Sequence, residues 1–99
     1  MEFNIPSKFK IGGVDYKVNI VEHCGVNDDF GRWWCTSDTI EIATQSGGYK
    51  VSDSRKRQTF FRELTHAILF QMGKYDLNED ESFVNSFSAF LSEAINTME

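Results

Sequence analysis

The sequence predicts an α+β domain: a small antiparallel sheet of about three strands covered by two C-terminal helices. Three observations carry this. Val14, Tyr16, Val18 and Ile20 alternate with Asp15, Lys17 and Asn19, the period-2 pattern of a half-buried strand. Phe60, Leu64, Ala67, Ile68 and Met72 follow helical spacing. A second helical stripe, Phe83, Phe87, Phe90 or Leu91, Ala94 or Ile95, and Met98, occupies the C-terminal part. At 99 residues the chain suits one domain, residues 1–99, able to form a core without disulfides or metal.

Each element follows from local chemistry. Phe9 and Ile11 alternate ahead of Gly12-Gly13, a pair suited to the positive φ angles of a two-residue turn, so residues 8–21 read as a hairpin. Residues 22–37 read as mostly irregular, punctuated by Gly25, Asn27, Asp28, Asp29 and Gly31. A short strand is expected over Thr39–Ala43, and a polar connection follows over 44–53. The first helix should run from about Ser54 to Met72, capped by Ser52 or Asp53 and stopped by Gly73. The last begins near Glu79, with Asn78 as N-cap and Glu81 completing a capping box.

Charge and leader content narrow the function classes. Fifteen carboxylates against ten Lys and Arg give a net charge of −5, which opposes non-specific binding to nucleic acid or anionic membrane. No apolar run reaches the length of a membrane span. The start Met-Glu-Phe-Asn-Ile-Pro lacks the regions of a signal peptide, so a cytoplasmic protein with reduced Cys24 and Cys35 is expected.

Arg62-Glu63-Leu64-Thr65-His66 has the spacing of the zinc-protease motif H-E-x-x-H. In that motif two histidines one helical turn apart bind Zn²⁺, and the glutamate works on the metal-bound water. Here arginine holds the first ligand position. A guanidinium has five donors and no acceptor lone pair, so it cannot bind zinc.

The run Phe60–Leu69, followed by Glu81-Ser82-Phe83-Val84-Asn85-Ser86-Phe87, resembles the small zincin-like proteins of the ImmA/IrrE type, many of them carried by phages and mobile elements. The resemblance covers roughly residues 38–95. It implies that Ile40-Glu41-Ile42 is the strand before the motif helix, His66 the second metal ligand, Glu81 the third, and Glu63 the general base. With Arg62 at the remaining ligand position, the expectation is a degenerate, metallopeptidase-like pseudoenzyme without resident metal. Its cofactor would be Zn only if the site were functional. Arg62 is then expected to pair with Glu81 in place of the metal's charge. The cleft would serve to recognise an unknown protein or peptide, beside Thr39–Ala43 as an edge strand and near Trp33 and Trp34.

Two other readings stand beside this one. An active zinc endopeptidase cleaving a cytosolic regulator would need a ligand recruited from His23, Cys24 or Cys35. A nucleic-acid module would use Arg55-Lys56-Arg57 beside Trp33-Trp34, which the acidic balance opposes. Each site residue also has a plainer role: His66 as a half-buried helix histidine, Glu81 as a helix-start acid, and Arg62 and Glu63 as solvated residues of a polar face.

Overall fold

A computed structural model describes residues 3–99; Met1 and Glu2, part of the start read for a leader, lie outside the described residues. The order is β1 (Lys8–Ile11), β2 (Val14–Val21), β3 (Gly31–Trp34), β4 (Thr39–Ala43), β5 (Gln45–Ser46), β6 (Tyr49–Lys50), α1 (Asp53–Gln71), α2 (Tyr75–Asn78) and α3 (Glu81–Thr97). The α+β class is as expected. β1 and β2 form the Gly12-Gly13 hairpin, with φ of 56° and 82° at the two glycines.

The sheet differs from the expected antiparallel one. It is mixed and four-stranded, in the order β1-β2-β4-β3, and β5-β6 form a separate two-stranded ribbon. β2 and β4 are parallel, Val18 opposite Ile40, while β3 returns antiparallel along the other side of β4. The expectation that Thr39–Ala43 is an edge strand is therefore corrected: β4 is central and β3 is the edge. Alternating apolar residues in so short a segment report one buried face, not the number of neighbours. β3 itself fell in the stretch read as irregular, because its single glycine and two tryptophans are too few to display a period.

One face of the sheet lies on α1. Val18, Ile40 and Ile42 pack with Phe60 and Phe61, and Phe9, Trp33, Leu64, Leu91 and Ile95 surround them. Burying each of these large side chains contributes about 1.5–3 kcal/mol, so truncating fully buried Ile40 to alanine should cost roughly 2–5 kcal/mol. α1 starts where expected, Ser52 accepting from the Arg55 amide. Its end is marked by Gly73 at φ 73°.

The third helix corrects two expectations. Its N-cap is Asp80, which accepts from the Phe83 amide at 3.0 Å, so no Asn78/Glu81 capping box forms. Asn78 instead closes the single turn of α2. The expected apolar stripe is borne out only in its Leu91 and Ile95 alternatives. Val84, Ser88 and Ser92 are the buried positions, with Leu91 and Ile95 reaching the core, whereas Phe87, Phe90 and Met98 are exposed. Small side chains let helices approach closely, and a hydrophobicity pattern weighs them too little. No helix among the described residues is long and apolar enough to cross a membrane.

Candidate functional site

The motif residues occupy consecutive turns of α1, and the loop through α2 returns the chain so that the start of α3 meets them. Arg62 is the hub. Its Nη2 donates to Glu81 Oε2 at 2.6 Å, its Nη1 to Glu63 Oε2 at 3.3 Å, and its Nε to Asn85 Oδ1 at 2.9 Å. Glu81 and Asn85 lie one turn apart on α3, so a single guanidinium fork is matched by two side chains on one helical face. The expected Arg62–Glu81 pair is thus present. Asn85 stands within the Glu81–Phe87 match but was not singled out; its spacing from Glu81 is the signal that could have found it.

Glu63 is 4% exposed. Burial raises its pKa above the ordinary 4.5, and the charges of His66 and Arg62 only partly oppose this. His66 turns its Nδ1 to Asn78 Oδ1. With the Asn78 amide oxygen accepting, Nδ1 is the donor of this bond. The imidazole also stacks on Trp33, with ring centroids 6.1 Å apart and planes 11° apart. Trp33 therefore joins the motif helix to β3, and its Nε1 is buried with no hydrogen-bond partner.

These residues do not fit a zinc ion. The first ligand position carries donors only, and one carboxylate oxygen of Glu81 accepts from Arg62, which sets a fixed cation beside it. The described residues contain no group of three or more His, Cys, Asp or Glu arranged to hold a metal. The ligands considered for recruitment have other partners: His23 Nδ1 lies 3.1 Å from Asp28 Oδ1, and Cys24 is buried, which pushes its thiol up to about 11. Cys35 is exposed in the turn after β3.

A cleft of about 660 Å³ opens over this cluster, between the edge strand, α1 and α3. Residues Asp29–Trp33 form one wall, Arg55, Gln58, Thr59, Arg62 and Glu63 the floor, and Asn85, Ser88 and Ala89 the other wall. Gly31 makes this closeness possible. A Cβ there would lie 2.4 Å from Thr59 Cγ2 and 2.9 Å from Glu41 O, so only glycine lets β3 settle on α1 beside Glu63. The Arg55 guanidinium sits 5.0 Å from the Phe30 ring centroid, while Arg32 covers Trp34 at 4.4 Å.

The backbone of β3 has a free side. The Ala43 amide donates to Phe30 O at 2.8 Å, and antiparallel ladders alternate. Arg32 and Trp34 therefore exchange bonds with β4, and the N–H and C=O groups of Gly31 and Trp33 point away from it. Of the residues expected to contact a partner, Trp33 lines the cleft; Ile40 and Ile42 are fully buried in the core. Glu41 instead holds Trp34 Nε1 at 3.1 Å on the opposite face of the sheet. The wall residues Phe30, Gly31 and Arg32 lay in the stretch read as irregular. No family model, curated protein or solved structure matches this chain.

Proposed function

We propose that this protein is a degenerate zincin-like domain that binds an extended protein segment in its metal-free cleft. One observation carries the reading: the outer edge of β3, which no strand among the described residues pairs, borders a cleft whose floor includes Arg62 and Glu63. A segment added along β3 would satisfy the outward N–H and C=O groups of Gly31 and Trp33. Its alternate side chains would meet Gln58, Arg55 and Asn85 on the cleft surfaces. Arg62 stands where the resemblance places a metal ligand, and its charge neutralises Glu81, so the cleft keeps its shape without a metal. The role is recognition rather than hydrolysis.

The test is selection of peptides from a random display library on the intact chain, followed by amide exchange of the complexes. The Gly31 and Trp33 amides should exchange quickly in the free protein and become protected in the complex. Selected peptides that leave both amides exchanging as before would rule out strand addition at β3.

A further inference from the structure

The exposed side of α3 carries a second feature, independent of the cleft. Phe83, Phe87, Phe90 and Ala94 recur at intervals of four, three and four residues, the spacing of one continuous helical face, and Met98 follows just past the end of the helix. Phe90 is 72% exposed, Met98 59% and Phe87 41%. The Phe83 and Phe87 rings stack at 5.7 Å, which leaves a broad, pre-ordered aromatic surface. The neighbouring face, through Val84, Ser88 and Ser92, is already buried within the protein. Solvent-facing aromatics in a continuous stripe contribute nothing to the core, and patches of this kind mark interaction sites.

Charge identifies the partner. From Tyr75 to Glu99 the chain contains no Lys or Arg, while Asp76, Glu79, Asp80, Glu81, Glu93 and Glu99 are all acidic. Glu81 is neutralised by Arg62. Glu93 borders the stripe, and Glu79 and Asp80 lie at its N-terminal end. A second copy docking α3 on α3 would bring like charges together, and an anionic bilayer would be repelled in the same way.

We propose that the Phe83–Ala94 face of α3, extended by exposed Met98, docks a basic amphipathic helix of a different protein. Leucine-like anchors of that helix fill the spaces between Phe87, Phe90 and Met98, and its flanking lysines or arginines meet Glu93 and the acidic end of α3.

The probe is a synthetic helical peptide with leucine at i, i+3, i+4 and i+7 and lysine on both flanks. Its control has the same leucines with glutamate flanks. By fluorescence anisotropy the lysine peptide should bind saturably, one per chain, and the glutamate control about tenfold or more weaker. The Phe87→Ser/Phe90→Ser protein should remain folded with a modestly lower Tm, since Phe90 is 72% exposed and Phe87 loses its stack on Phe83. It should nevertheless lose about tenfold or more of its affinity for the lysine peptide, as when interface aromatics are truncated. Equal binding by parent and variant would reduce the effect to unspecific charge attraction and overturn the proposal. So would failure of the parent to bind the lysine peptide. Sedimentation of the parent as a dimer that the same substitutions dissolve would assign the face to a second copy instead. Stronger binding of the parent than the variant to zwitterionic vesicles, without peptide discrimination, would assign it to lipid.

Discussion

Arg62 Nη2 and Glu81 Oε2 lie 2.6 Å apart, so the arginine at the first position of the R-E-x-x-H run is bonded directly to the acid that opens α3. The same guanidinium reaches buried Glu63. One cation, fixed to α1, thus serves both carboxylates. In the proposed reading this explains how the cleft keeps two adjacent carboxylates without a bound ion.

The two ion pairs of Arg62 should differ in worth. Glu81 is 63% exposed, so screening limits its pair to about 0–1 kcal/mol. Glu63 is buried, and losing its cation leaves a carboxylate with less compensation. Arg62→Ala should therefore destabilise by roughly 1–3 kcal/mol and Glu81→Ala by about 1 kcal/mol or less. In a domain of this size 1 kcal/mol moves Tm by about 4–8 °C, so thermal melts separate the two. Equal losses would mean that the exposed pair, not the buried one, dominates.

Glu63 sets a pH dependence. Burial raises its pKa, so the folded state holds the proton more tightly than the unfolded chain does. That contribution is fully present below the ordinary carboxylate value of 4.5 and is lost as pH rises through the folded-state value. Glu63→Gln, which mimics the protonated form, should raise Tm over the parent at neutral pH, and the gap should close on acidification below the ordinary value. NMR titration of the parent should place Glu63 above the usual carboxylate range, and Arg62→Ala should push it higher. A variant less stable than the parent at neutral pH would show that the Arg62 bond outweighs desolvation.

Legibility of the fold followed the length of the pattern that encodes it. The hairpin through Gly12-Gly13 and the helix capped by Ser52 were readable because caps, turn residues and period agree over many positions. The centrality of β4 was not, because Ile40-Glu41-Ile42 looks the same with one neighbour or two. The buried face of α3 is only partly legible for a different reason. Its phenylalanines outweigh Ser88 and Ser92 on a hydrophobic scale, yet Val84, Ser88 and Ser92 are the buried positions. Of the cluster around Arg62, the spacing of the motif marks Arg62, Glu63 and His66, and the family resemblance adds Glu81. The wall formed by β3 was not legible, since its position depends on the three-dimensional fit of Gly31 to Thr59.

That fit is itself testable. Gly31→Ala introduces a methyl group 2.4 Å from Thr59 Cγ2, a distance that real contacts do not tolerate. Overpacking of this kind typically costs 1–3 kcal/mol. Thr59→Ser removes the clashing methyl and keeps the hydroxyl that donates to Arg55 O, so adding it should recover part of the loss. Recovery stays partial because Glu41 O, at 2.9 Å from the added Cβ, belongs to the backbone. Melts of the single and double variants would measure both terms; an unperturbed Gly31→Ala protein would mean that β3 does not rest on α1 as described.

The proposed lineage makes the sharpest forecast, at Arg62. Arg62→His places two histidines four residues apart on one face of α1 and releases Glu81 from its cation. Asn78 holds His66 by Nδ1, which leaves Nε2 available, the arrangement by which an outer hydrogen bond orients a metal-binding imidazole. Three protein ligands are then available, the number found in open zinc sites. The variant purified without chelator should carry about one zinc per chain, and its Tm should rise with added zinc and fall with chelator. Arg62→Gln, which also frees Glu81 but supplies no imidazole, should bind none. Native mass spectrometry distinguishes these outcomes directly. Absence of zinc from the histidine variant would mean that His66 and Glu81 do not converge as a zincin site requires, and the lineage would have to be abandoned while the β3 cleft could still bind its segment.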